Sequence, residues 1–256
     1  MIFGLEFPPI SHLIEWPDIF FKDTAFAVNK VVLLMWASAI LAIALFVAGS
    51  RKRALVPSGV QNVAESIIDF VDNSIVMETI GPDGRKFTPF LTTLFTFILF
   101  CNLWEVVPFV QMPVNARMAM PMFFSLLVWL IFNVVGIAKQ GFFHYFKGIM
   151  FPPGVPKIVY ILLSPIELLS TVIVRPVTLA VRLFANMVAG HMILAVLFLG
   201  TETFLHGNII GKAASVLPFA LGTALTAFEI FVGGMQAFII TILTAVYIAG
   251  ATHPEH

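Results

Sequence analysis

Six ionisable side chains lie inside or at the edge of long apolar stretches of this sequence: Glu105, Glu167, Arg175, Arg182, His191 and Glu229. Holding a charge within hydrocarbon costs a few kcal/mol or more, so such residues mark ion or proton pathways by default. Carboxylates and imidazole can take up and release protons. An arginine stays protonated under almost all conditions and serves as a fixed positive charge.

Their spacing adds to this. With Arg182 as reference and about 100° per helical residue, Arg175 and Thr171 each fall about 20° away, and Thr178 and Asn186 about 40° away. Glu167 falls about 60° away. One narrow stripe thus gathers most of the polar groups of that stretch. Ala185, Ala189 and Gly190 lie on or near it, so a partner helix can approach closely. His191 falls about 180° from Arg182 and faces a different neighbour. Along the axis, Glu167 is about 22 Å to one side of Arg182 and His191 about 13 Å to the other. A fixed cation with a titratable group on each side suits two half-paths that do not join. Further on, Glu229 and Gln236 are seven residues apart and share a helix face. Gly233 and Gly234 follow Glu229, at a cost of about 1 kcal/mol each relative to Ala, which close packing against another helix would explain.

Plainer roles compete. Arg175, beside Pro176, is equally well a structural or snorkelling cation. Glu105 sits near the end of its apolar run and fits an interfacial position. His191 fits hydrogen-bonded packing. Thr171 and Thr178 can bond their own helix backbone. Arg182 is hardest to dismiss, because it lies in the middle of its block.

The elements that must position these residues follow from hydropathy. Of 256 residues, 59% are hydrophobic, and only 14 are acidic and 14 basic (Lys and Arg). Lipid is the solvent that suits this balance. The zero net charge gives no reason to expect nucleic acid, and the single cysteine, Cys101, excludes an internal disulfide. The expected fold is all-α and integral to the membrane: two or three steep spans, an amphipathic surface helix, and a hairpin of two long tilted helices. The chain reads as one membrane domain over 1–256. An outer N-terminal tail covers 1–30, where no basic region precedes an apolar core as in a signal peptide. Spans cover 31–48, 89–107 and 121–138, and the amphipathic helix 58–77, with Ser58 as a candidate cap. The long blocks are 158–200 and 213–250. At 1.5 Å per residue the first is about 64 Å long against about 30 Å of hydrocarbon. One long helix per block is preferred over two short spans, because a turn near Arg175-Pro176 would have no polar loop.

Basic residues set the orientation. Arg51, Lys52, Arg53, Arg85, Lys86, Lys139, Lys147 and Lys157 fall on the inner side; Lys22, Lys30, Arg117 and Lys212 fall on the outer. That excess favours an outer N-terminus. Glu167 is then on the inner side of Arg182 and His191 on the outer. No phosphate-binding loop of the G-x-x-x-x-G-K-[ST] type is present.

At this point several segments resemble one family. Val181-Arg182-Leu183-Phe184-Ala185-Asn186-Met187-Val188-Ala189-Gly190-His191 is similar to the fifth-helix signature of ATP synthase subunit a. Gly234-Met235-Gln236-Ala237-Phe238-Ile239 resembles that of its sixth helix. Asn102-Leu103-Trp104-Glu105 with Pro108, and Pro57-Ser58-Gly59-Val60-Gln61-Asn62 with Glu65, resemble two further family segments. The resemblance implies a proton-translocating subunit of the Fo sector, with Arg182 facing a ring of c subunits and Asn186 and Gln236 as its polar neighbours. Glu105, His191 and Glu229 would line an outer half-channel, and Glu167 and Thr171 an inner one. It also implies b subunits of the peripheral stalk as partners, ATP chemistry on other subunits, and neither cofactor nor metal on this chain. A bacterial plasma membrane is the expected location, although mitochondrial relatives share the His-then-acid order at His191 and Glu229.

One departure stands out. Counting back from Arg182, Glu167 is one residue beyond the family's acid position, which Leu168 occupies here; a helix bulge would restore the register. Two other readings remain to be separated from this one. A stand-alone proton-coupled transporter would be expected to show internal repeats, and none is visible. A scaffold without transport would leave Arg182 unexplained.

Overall fold

A computed structural model describes residues 19, 27–51, 54–108, 110–112, 114–151 and 159–252. Most of the N-terminal tail, Lys52, Arg53, Pro152-Pro153 and Lys157 lie outside the described residues.

The described chain is all-α apart from turns and one isolated bridge. Helix α1 is Lys30–Arg51, α2 Val60–Val71 and α3 Met77–Thr79, with a π-helical segment Asp72–Val76 between the last two. A 3-10 turn, Pro82–Phe87, leads into α4, Thr88–Leu103; α5 is Ala119–Gln140 and α6 Phe142–Met150. Helix α7 is Tyr160–Leu169, followed by a second π segment, Ser170–Val174, and α8, Arg175–Leu205. Short α9, Ile209–Ala214, precedes α10, Val216–Thr252. Five helical stretches are long and apolar enough to cross a bilayer: Lys30–Arg51, Pro82–Leu103, Ala119–Gln140, Tyr160–Leu205 and Ile209–Thr252. The block around Arg175-Pro176 is therefore one helical run of 46 residues, with no loop. It is about 69 Å long at 1.5 Å per residue, so it fits a bilayer only when steeply tilted.

Several buried hydroxyls in these helices bond their own backbone. Thr96 donates to Thr92 O, Thr241 to Ala237 O and Thr244 to Ile240 O, at 2.7–2.8 Å. Where water is absent, each polar group must find such a partner inside the protein.

Two compact units can be described separately. The first comprises Met1–Leu41, Leu99–Arg117 and Phe184–Gln236. Its ties are polar: Lys30 Nζ donates to Val110 O at 3.0 Å, and the Trp104 indole to Ser38 Oγ at 2.7 Å. The ends of α8 and α10 that belong to it form a hairpin, closed by Asn186 Nδ2 donating to Gln236 Oε1 at 2.7 Å.

The second unit comprises Ala42–Ile98, Met118–Leu183 and Ala237–His256. Aromatic pairs dominate it: the Phe70 ring centroid lies 5.6 Å from that of Phe95 and 5.8 Å from that of Phe238, and Phe132 lies 5.5 Å from Tyr247. Gly49 lets α1 touch α2, since a Cβ there would sit 2.7 Å from the Ala64 Cβ. Ser58 does not cap α2. Gly59 occupies the cap position with φ 58 and no side-chain cap bond forms, because this left-handed entry is open to glycine and carries the chain past Ser58. Near the end of that element Asp72 accepts from Thr88 Oγ1 at 2.6 Å and pairs with Arg85 Nε at 3.6 Å. At the end of α5, Gly141 at φ 81 donates its N–H to Ile137 O at 2.8 Å. The left-handed residue turns the chain into α6, where the Tyr145 ring fills the space beside Gly136.

Candidate functional site

Five of the predicted residues fall in the first unit: Glu105, Asn186, His191, Glu229 and Gln236. Glu105 follows the end of α4 and is almost fully buried. Its Oε1 lies 3.9 Å from His191 Nδ1 on α8. That separation is too long for a direct hydrogen bond and within ion-pair reach when the imidazole is protonated.

Glu229 reaches the same helix one residue earlier. A Cβ built on Gly190 would run into the Glu229 carboxyl group. Gly190 is thus small for a specific reason: it admits a carboxylate side chain between α8 and α10. Asn186 and Gln236 pair one turn away from Gly190, and Gln236 is buried. Glu105 Oε1, Glu229 Oε2 and Gln236 Nε2 are buried and have no hydrogen-bond partner among the described residues. Buried polar atoms left in this state are uncommon in folded proteins and each requires a physical reason.

The other three residues, Glu167, Thr171 and Arg182, belong to the second unit. All lie on the continuous run α7–π–α8. Glu167 is half-buried, Thr171 is buried and Arg182 is exposed. Arg182 has no hydrogen bond or ion pair among the described residues, whereas Arg175, seven residues earlier, has its guanidinium 5.1 Å from the Tyr247 ring centroid. A cation over an aromatic face is held in place, which gives Arg175 a structural role. Thr178 is likewise engaged, donating to Val174 O at 2.7 Å and Arg175 O at 3.1 Å.

Several site-building residues escaped the spacing argument. Asn102 Nδ2 donates to Gly233 O at 3.0 Å, and Asn115 Nδ2 donates to Asn102 Oδ1 at 2.8 Å. A Cβ on Gly233 would come within 3.2 Å of the Asn102 Cβ. Close packing therefore explains Gly233, whereas a Cβ on Gly234 would meet nothing within 4 Å. Asn102 sits three residues before Glu105 and fixes that turn against α10. The Asn102–Glu105 motif carried the signal, but its partner, 131 residues on, did not show.

Apolar helices able to cross a bilayer, unpaired carboxyl oxygens beside an imidazole and an uncommitted arginine together define a polytopic membrane protein that handles protons or ions. The family model described as "ATP synthase A chain" matches residues 32–249. Among similar curated proteins, ATP synthase subunit a of Parafrankia sp. is 46% identical over 224 residues, covering 84% of this chain and 75% of the relative. Those of Frankia alni and Rhodococcus erythropolis are 42% and 39% identical, covering 94% and 93% of this chain and 84% and 88% of theirs. The chain belongs to the ATP synthase subunit a family, the proton-channel subunit of the Fo sector. The reading as a stand-alone transporter is not supported.

Proposed function

We propose that Arg182 is the fixed cation of the coupling step and that it faces a ring of c subunits. The observation that carries this is its state: exposed on a long apolar helix and without a partner among the described residues. A bare guanidinium within a bilayer needs an anion from elsewhere. A ring carboxylate fits that need. Opposite charge holds it ionised beside Arg182, and once protonated it can pass into lipid. The same charge repels protons and keeps the two half-paths from joining.

Glu105, His191 and Glu229 form the outer half-path, with the Asn186–Gln236 pair at its inner end. Glu167 and Thr171 line the inner half-path. The N-terminus lies outside, the peripheral-stalk b subunits are partners, and the membrane is a bacterial plasma membrane, as the bacterial relatives suggest.

ATP-driven acidification of inverted membrane vesicles tests the central point. With Arg182→Ala the complex should assemble and pumping should be lost. Pumping at the parent rate would remove Arg182 from the coupling step.

A further inference from the structure

The π segment Ser170–Val174 lies between Glu167 and Arg175. Single-turn π bulges insert one extra residue into an α-helix and leave the flanking turns in register. Across eight uniform α-helical residues, Glu167 and Arg175 would point about 80° apart. With one residue absorbed the interval counts as seven, and they point about 20° apart. The bulge therefore turns the carboxylate onto the face where Arg175 meets Tyr247.

The backbone ladder shows why the bulge stays in place. Arg175 N–H bonds to Ser170 O, five residues back. Continuing that pattern, Thr171 O would need the N–H of residue 176, and Pro176 has none. The orphaned carbonyl is met from α5 instead: the Trp129 indole donates to Thr171 O at 3.2 Å. One turn earlier on α5, Ser125 Oγ donates to Pro176 O. Both ends of the weakened stretch are thus held by one neighbouring helix, which suits a site where lipid offers no hydrogen bonds.

We infer that this bulge is a register insert, which positions Glu167 for the inner half-path by aligning it with Arg175. The inference rests on the reading of Glu167 as an inner-path group, and the test separates the two.

The test is ATP-driven pumping by assembled complexes in inverted vesicles. Glu167→Gln should cut the rate by about tenfold or more, as loss of a proton-transfer group does. Pumping unchanged by that variant would overturn the reading of Glu167 and, with it, the inference. Deletion of Ile173 removes one bulge residue and leaves a plain α-helix, so the shortened chain should keep the parent rate. Ile166→Glu with Glu167→Ile in the shortened chain should then lose pumping. The reverse pattern, in which deletion abolishes pumping and the shifted acid restores it, would overturn the register insert and leave the reading of Glu167 standing. A second measurement covers a shortened chain that fails to assemble. Single cysteines at 167 and 168 in the full-length chain would be labelled with a water-soluble maleimide from the inner face. Position 167 should react faster; faster reaction at 168, the position a uniform helix would align with Arg175, overturns the inference.

Discussion

The two compact units treat buried polar atoms in opposite ways. In the first, Glu105, Glu229, Gln236 and Asn115 each keep a buried polar atom without a partner among the described residues. In the second, the buried atoms left so are the hydroxyls of Thr92 and Ser164, and several other polar groups are bonded to backbone or side-chain partners or covered by rings. Gln140 Nε2 reaches Ala251 O at 2.7 Å, Tyr145 Oη reaches Asn133 Oδ1 at 3.2 Å, and Arg175 lies over Tyr247. The carboxyl oxygens left without a partner, those of Glu105 and Glu229, both lie in the first unit, where the proposed outer half-path runs.

That contrast can be broken experimentally, most forcefully at Gly190. Gly190→Val forces a side chain into the Glu229 carboxyl, so proton conduction through the membrane sector should fall by tenfold or more, as about 1.4 kcal/mol of misplacement suffices for. Gly190→Ala should be milder, and Glu229→Asp in the same chain, shorter by one methylene, should recover part of the loss. Independent additive effects would show that the two residues do not share that space. Next in size is Asn102→Ala, which strands Gly233 O and Asn115 Nδ2. It should cost about 1–3 kcal/mol of stability in the first unit, measured as an earlier thermal midpoint of the assembled complex in detergent. A midpoint equal to the parent's would show that the asparagine does not brace the turn before Glu105.

The smallest effect is expected from Tyr145→Phe in the second unit. It removes one hydrogen bond, worth about 1 kcal/mol, and should leave pumping unchanged. Burial pushes the phenol above its ordinary 10.0, with the Arg175 guanidinium pulling partly the other way. A raised folded-state value gives stability that is full below pH 10.0 and is lost only as pH rises through that value. The difference between variant and parent should therefore be flat across neutral pH. A slope between pH 6 and 9 would contradict a neutral phenol at that site.

Much of this was legible in the sequence because bilayer thickness and helix rise are fixed quantities. Long apolar runs had to be helices, and five such stretches are long enough to cross a bilayer. The stripe drawn through Arg182 assumed a uniform 3.6-residue period, which the π segment at Ser170–Val174 interrupts. What escaped were features decided by distant partners. The π turn at Ser170–Val174 is invisible to a periodicity argument, which assumes one constant angle per residue. It depends on Pro176 and on Trp129, which lies 42 residues away. The role of Gly190 was half visible: a small residue announces close approach, but not that Glu229 is what approaches. Ser58 misled for a similar reason, since a good capping side chain counts for nothing when the adjacent glycine sets the entry angle.

The bare guanidinium of Arg182 also bears on how the complex is built. A newly inserted copy of this chain, alone in lipid, carries an uncompensated charge costing about 3 kcal/mol on the scale of helix insertion. Docking onto the ring of carboxylates proposed above would remove that penalty at once. Orphan copies are therefore the least stable form in which the chain exists, and surplus synthesis should end in degradation rather than accumulation. The residue assigned to coupling rotation would also act as the chain's own tag for incomplete assembly.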